Sequence, residues 1–548
     1  MTAPAIDGVR RHFVTIGQRQ LHYRRAGNGP PLVLLHRLPR SSQDLTPLLL
    51  RWRESFTVIA PDQAGYGQSW PLPPQADGAA PEARAYVDDL RDFLDALGLD
   101  RVHLLGDGTG ALLALGLAQQ HAGRVASLVC HDLPESPVDA ATLRRAFAPF
   151  EPRWDGSHLA WLWAMLREEA VFDPWQEKSL AHRRFEAIPD AERLQERAVQ
   201  FLSGGHHGRG YELGLRALLA LDAAALLATA TVPVLRLDAQ QEAAAQWARA
   251  DEWLRERRSN AGTPPVPAVQ AIPGMPWSDY AAVDGGQLHF HCNTDGDTLP
   301  LLVQHDAASS VGTVAPITRS LVGVRSVFAF DLPGSGDSDN LLGGRAAGVE
   351  DYADILERAL LALGAPQVDF YGMWGGGFVG LELALRQRQR VRRLVMSNVF
   401  FHEGEELRLV QQHYTPDVTP LWHGGHLLQC WHQMRDQGLF FPWFDRSARG
   451  ALRREPFIDT AMVHERVCSL LKAGNMYRTA YQAHFTYPVL EKLRRSPVPT
   501  LVATSTWDPN RTHTEVAARE APDASFRLLD ADFSRWGLSF VDFLSLDG

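Results

Sequence analysis

The chain has 548 residues, more than one hydrophobic core usually serves, so two or more domains are expected. With 45% hydrophobic residues, 22% charged residues, a formal net charge of −10 and no stripe of Lys or Arg, the composition excludes fibres and disorder and disfavours nucleic acid and membranes as partners. The opening Met1-Thr2-Ala3-Pro4-Ala5 has no basic segment before an apolar one, and no apolar run of about 20 residues follows, so the reading is a cytoplasmic protein.

In chain order the pattern predicts a hairpin (12–25), strands (32–36 and 57–60), a helix (84–97), a strand (102–105), a helix (110–120) and a strand (128–130). A largely helical insertion then runs to about residue 227, and strands at 234–237 and 266–272 complete the set. A second hairpin pattern begins at Asp279, and the second half keeps a closing helix (534–544) for which the first half has little room. Strands alternating with helices indicate a mostly parallel sheet covered on both faces.

Self-comparison shows that the halves repeat. Asp62-Gln-Ala-Gly65-Tyr-Gly67-Gln-Ser69 recurs as Asp331-Leu-Pro-Gly334-Ser-Gly336-Asp-Ser338. The longest ungapped match runs from Pro152 through Trp154, His158, Trp163, Arg167 and Trp175, and again from Pro420 through Trp422, His426, Trp431, Arg435 and Trp443. The fold class is therefore α/β, duplicated in tandem: residues 1–275 with a cap at about 132–227, and 276–548 with a cap at about 399–492. The copies form a pseudo-dimer within one chain, and a further homodimer stays open.

Cys130, Cys292, Cys430 and Cys468 are too dispersed for a disulfide framework or a zinc site, and His206-His207 lacks a visible third ligand, so no metal is assigned. Only three lysines occur (Lys178, Lys472, Lys492), which disfavours Schiff-base chemistry; no cofactor is assigned.

The strand followed by His36-Arg37-Leu38-Pro39, the Asp-x-x-Gly-x-Gly-x-Ser segment and a Gly-x-x-x-Gly turn between strand and helix resemble the α/β-hydrolase superfamily, most of all its capped epoxide hydrolases, haloalkane dehalogenases and carbon–carbon bond hydrolases. The resemblance covers almost the whole chain, twice. It implies two tandem α/β-hydrolase folds, each with a sharp turn that presents a Ser, Asp or Cys nucleophile while the next backbone N–H serves an oxyanion hole. Here those turns read Gly106-Asp107-Gly108-Thr109-Gly110 and Gly372-Met373-Trp374-Gly375-Gly376, so Gly108 and Trp374 stand at the nucleophile positions. Glycine carries no nucleophile and an indole is not one, which speaks against covalent hydrolysis at either turn.

The acid position maps to Glu242 and Asp508, 266 residues apart, but neither copy has a histidine in the segment after its last strand. What replaces the lost chemistry is expected in the first copy, where Gly108 opens space. Its polar candidates are His158, Asp107, Glu242 and His36, with Arg37, Trp163, Arg167 and Trp175 lining the pocket. Trp163 and Arg167, four apart on a helix, can stack; seating the cap is the competing reading, and for His158 it is holding a helix start. For Asp107, a structural hydrogen bond is weighed above a displaced nucleophile. Trp374 closes the second copy, whose pocket positions are His305, His426, Trp431, Arg435 and Asp508.

Three readings follow: an acid–base enzyme of cyclase, isomerase or lyase type acting on a hydrophobic small molecule, in the manner of secondary metabolism; a ligand-binding or scaffold protein; and a hydrolase of esters or epoxides with non-standard residues.

Overall fold

A computed structural model describes residues 8–134, 137–185, 187–203, 207–238, 243–293, 299–343, 345–456, 458–521 and 523–546. Among these, 8–151 and 161–270 form one compact unit, and 152–160 with 271–546 form the other. The division falls at 270/271 where the sequence set it at 275/276, and it groups 152–160, read as part of the first cap, with the later residues.

The first unit is built on β1 (Val9–Ile16), β2 (Arg19–Ala26), β3 (Pro31–Leu35), β4 (Thr57–Pro61), β5 (Val102–Asp107), β6 (Val125–His131) and β7 (Val234–Leu237). Its sheet order is β1-β2-β4-β3-β5-β6-β7, antiparallel at the β1–β2 hairpin and parallel from β4 to β7. The second unit has β8 (Trp277–Val283), β9 (Gly286–Asn293), β10 (Leu301–Gln304), β11 (Val327–Phe330), β12 (Val368–Met373), β13 (Val391–Ser397), β14 (Thr500–Ser505) and β15 (Ala524–Leu529). Their order, β15-β14-β13-β12-β10-β11-β9-β8, repeats the first topology and adds one strand. In both units the cap helices lie between the sixth and seventh strands.

The central strands are continuous apolar runs because helices cover both faces of a parallel sheet. Every residue of β3, β4 and β10 is buried. In the first unit Leu32, Leu34, Val58, Leu105 and Val129 join Leu49 and Trp52 in one core, and in the second Leu301, Val303, Tyr371 and Val395 join Trp536 and Phe540.

Two expected elements differ. Residues 266–272 form no strand: Pro264, Pro265 and Pro267 remove ladder donors, and side chains hold the segment instead, Thr15 Oγ1 donating to Gln270 O (2.6 Å) and Arg25 to the carbonyls of Pro264 and Pro265. The closing helix expected at 534–544 is broken into single turns at Phe533–Arg535 and Leu538–Phe540 and a short helix, Val541–Ser545.

The repeated Asp-x-x-Gly-x-Gly-x-Ser segment is a loop knot. Asp62 accepts from Ser42 N–H (2.6 Å), Gln68 N–H (2.9 Å) and His22 Nδ1–H (2.8 Å), and Asp331 does the same with Val311 (2.7 Å), Asp337 (2.9 Å) and His289 (2.8 Å). His289, Asp331 and Asp337 bring one ligand atom each within 4.8 Å of one another, but the Lys472 ammonium lies 2.8 Å from Asp337 and supplies the positive charge a cation would bring.

Candidate functional site

The turn after β5 leads into the helix Thr109–Gln120, and the turn after β12 into Gly375–Arg386. A Cβ at Gly110 would lie 2.3 Å from Leu35 O, and one at Gly376 would lie 2.5 Å from His305 O, so the Gly-x-x-x-Gly spacing lets each helix start against the neighbouring strand end. Between the glycines the backbone is forced to positive φ: Gly108 has φ +56° and ψ −119°, Trp374 φ +48° and ψ −125°. Glycine takes that conformation freely, whereas a bulky residue there is strained.

In the first unit Gly108 does not leave an open space. A Cβ there would meet Arg37 Nε at 2.7 Å, because the Arg37 guanidinium lies across the turn. Arg37 Nε and Nη2 donate to the two Asp107 oxygens at 3.3 Å, and Nη2 also pairs with Asp132, a positive-φ residue just after β6. Asp107 accepts a further bond from His131 Nδ1–H (2.8 Å), the last residue of β6. Burial alone would raise the Asp107 pKa, but Arg37 and His131 outweigh it and hold the carboxyl ionised.

The His131 ring packs on Trp247 (4.9 Å between centroids), and its Nε2 has no hydrogen-bond partner among the described residues. Asp107, His131, Arg37 and Asp132 thus form one charged cluster at the turn. The backbone N–H of Leu38, in the facing loop, is spent on Thr109 Oγ1 (2.8 Å).

In the second unit the slot of Arg37 holds Asp306. Its Oδ1 accepts the N–H of Gly375, the residue after the turn, at 3.0 Å, and lies 3.3 Å from His484 Nδ1. The donor that would greet an oxyanion is therefore already occupied by a carboxylate. The Trp374 side chain packs on the second unit's core cluster. Asp508 sits after β14 with Oδ1 accepting Asn510 N–H (2.9 Å), and burial pushes its carboxyl up to about 7 against the pull of that N–H and of Arg454.

The remaining candidates scatter. His36 is clamped by backbone: Nε2 accepts Gln63 N–H (3.0 Å) and Nδ1–H donates to Arg37 O (3.2 Å). His305 does the same with Leu332 N–H (3.1 Å) and Asp306 O (2.6 Å). Both are buried neutral imidazoles with both nitrogens used, which corrects the expected proton-transfer role of His36. His158 is not part of the unit that holds Gly108. It belongs to the unit that holds Trp374, where Nδ1 accepts Arg153 N–H (3.0 Å) and Nε2 meets His464 Nδ1 at 3.1 Å. Burial drives its pKa down to about 3, which keeps the imidazole neutral near pH 7 and makes it a weak base.

His426 repeats that arrangement with Leu421 N–H (3.1 Å), its pKa lowered to about 4 by burial. Trp163 is buried in the first unit with the helix that carries Arg167, and Trp175 rings against Trp161 at 6.5 Å. Trp431 is buried and donates to Trp154 O (3.2 Å), while Arg435 pairs with Asp436 (3.1 Å). Glu242 and His206 lie outside the described residues.

Sequence reasoning missed His131, Asp132, Asp306 as a cap on Gly375, and His484. The visible signal was the repeat offset: 266 residues on, His131-Asp132 becomes Ser397-Asn398 and Asp107 becomes Met373.

Comparison with known proteins agrees with the geometry. A family model described as alpha/beta hydrolase fold matches residues 30–166 and 307–421. Similar proteins include a Soluble epoxide hydrolase from Corynebacterium sp. (strain C12), 32% identical over 125 residues that cover 23% of this chain and 42% of the relative. A Fluoroacetate dehalogenase from Burkholderia sp is 29% identical over 175 residues, 31% of this chain and 53% of the relative. Haloalkane dehalogenase 2 of Mycobacterium tuberculosis (strain ATCC 25618 / H37Rv) is 28% identical over 125 residues, 23% of this chain and 42% of the relative. The chain spans about half the length, or less, of these relatives. No helix among the described residues is long and apolar enough to cross a membrane.

Proposed function

We propose, from the alpha/beta hydrolase fold family model that the chain matches over residues 30–166 and 307–421, that it is a non-hydrolytic acid–base enzyme of cyclase, isomerase or lyase type, working on a small hydrophobic molecule with its own side chains in the first unit. The observation that carries this reading is the Asp107–His131 pair beside Gly108: an ionised carboxylate accepts Nδ1–H at 2.8 Å and leaves Nε2 without a protein partner among the described residues. A histidine anchored through one nitrogen by a carboxylate is oriented to take a proton at the other. Arg37 holds the carboxylate in place and, where a hydrolase of this family has a nucleophile, brings a cation able to stabilise negative charge that develops as the proton leaves.

The relatives' names concern small molecules, which supports the substrate class. The second unit favours a non-catalytic part, because the residue at the nucleophile position, Trp374, packs on the core and Asp306 occupies the N–H of Gly375.

Isotope exchange tests the reading. The full chain is incubated in D2O with a panel of hydrophobic ketones and lactones that carry an acidic C–H, and exchange at that carbon is followed by NMR. The expected result is exchange of at least one compound above buffer, lowered about 100-fold in His131→Gln, in line with the usual worth of a positioned general base. Absence of exchange across the panel, or full activity in His131→Gln, refutes the reading.

A further inference from the structure

The second unit carries a polar corner whose residues the first copy does not repeat in sequence. Asn398 follows β13 in a positive-φ conformation (φ +57°) and is wholly buried, yet neither its Oδ1 nor its Nδ2 has a hydrogen-bond partner among the described residues. The same holds for Ser505 Oγ at the end of β14, for Asp508 Oδ2 and for Asn510 Oδ1, each on a buried residue. Hydrogen bonds tie the segments that carry the four residues: Asn398 N–H donates to Ala503 O (2.9 Å), Asp508 N–H to Ser505 O (3.4 Å), and Asn510 N–H to the Asp508 side chain at Oδ1 (2.9 Å). The corner adjoins the turn after β12, since Trp374 N–H donates to the carbonyl of Ser397 (2.9 Å).

Folded proteins pair nearly all their buried polar atoms, since each orphan forfeits its bonds to water. Five in one corner are a large concession, and the sequence of the first copy does not repeat the set. At the matching positions the first copy has Asp132, which ion-pairs with Arg37, and Ala239, Glu242 and Ala244. We propose that this corner at the ends of β13 and β14 is a binding site for an uncharged small molecule that carries a hydrogen-bond donor beside an acceptor, a primary amide in the simplest case.

The chemistry of the lining sets that class. Asn398 offers a donor and an acceptor side by side, Ser505 either, and Asn510 an acceptor. Asp508, largely desolvated and near its midpoint at neutral pH, donates or accepts without demanding a counter-ion. An anion would face Asp508 and Asp306, both within electrostatic reach of the Tyr414 phenol. The Arg454 guanidinium that faces Asp508 also lies over the Trp507 ring, 5.8 Å from its centroid. Trp507, stacked on Trp536 at 5.7 Å, gives an apolar side chain two residues from Ser505 and a fluorescence reporter.

This site is independent of the Asp107–His131 reading, which concerns the other unit. Acetamide and benzamide, with benzoate and benzylammonium as charged analogues, are titrated into the full chain at pH 7 by calorimetry and by tryptophan fluorescence. The expected result is saturable binding of at least one amide, at least tenfold tighter than either charged analogue and weakened at least tenfold by Asn398→Leu. If Asn398→Leu fails to fold by circular dichroism, Asn398→Asp, which keeps the shape and loses the amide donor, is expected to weaken binding by the same factor. Failure of both amides to saturate, equal affinity for a charged analogue, an affinity untouched by these substitutions, or a soaked crystal holding only water against Asn398 and Asp508 overturns the proposal.

Discussion

The two turns share backbone geometry and differ in charge. In the first unit a cation, Arg37, lies over the turn against two acids, Asp107 and Asp132; in the second an anion, Asp306, takes that slot, and the acids become Met373 and Asn398. The three exchanges are mutually consistent: an arginine needs its carboxylates, and an aspartate in that slot would be repelled by them. Each unit thus holds its turn in a self-contained electrostatic set. A shared strained backbone specifies nothing about chemistry; the side chains laid over it do.

The largest effect that can break this comparison is a charge reversal in the first unit. Arg37→Asp places a third carboxylate beside Asp107 and Asp132, and the expected loss is about 4 kcal/mol in chemical denaturation, since the part-buried acids lose their cation and gain a further negative charge. Adding Asp107→Met and Asp132→Asn, which imports the second unit's set, should recover at least half of that loss. Strict additivity of the three substitutions would show that the set is not coupled.

A smaller effect concerns Asp508. Its folded pKa, about 7, lies above the ordinary value of 3.8, so the folded state holds the proton more tightly than the unfolded chain. Its contribution is therefore fully present below about pH 4 and is lost as pH rises through about 7, by on the order of 3 kcal/mol across that window. Asp508→Asn should flatten that part of the stability curve, measured by urea midpoints from pH 4 to 8. A curve that keeps its slope in the variant places the titration elsewhere.

The smallest effect separates structure from chemistry at His158. His158→Leu removes the acceptor for Arg153 N–H and the Nε2 contact with His464 and should cost about 2 kcal/mol, the worth of two hydrogen bonds, while proton exchange by the first unit stays unchanged. A loss of exchange without a loss of stability would restore His158 to the chemistry.

Much of the architecture was legible because it rests on periodicity and repetition. The apolar runs of β3, β4 and β10, the glycine spacing of both turns and the 266-residue offset are local or internal signals. The site was less legible because it depends on which way long side chains turn. Nothing local tells that Arg37 folds back over Gly108, or that Asp306 reaches the N–H of Gly375, 69 residues away in sequence. Gly108 read as an opening for that reason. His131 was overlooked because it stands on a strand where the family's histidine is not expected, although its exchange for Ser397 marked it. The strand expected at 266–272 failed because its neighbouring prolines were counted as a boundary and not as missing donors.

The central claim is that neither turn performs covalent hydrolysis, and intact-mass spectrometry of the full chain tests it most directly. The chain is incubated with a serine-reactive fluorophosphonate and, separately, with activated esters, epoxides and haloalkanes, and its mass is read under denaturing conditions. The account predicts an unchanged mass with every reagent. A stoichiometric adduct, mapped to any residue of either turn, would contradict it.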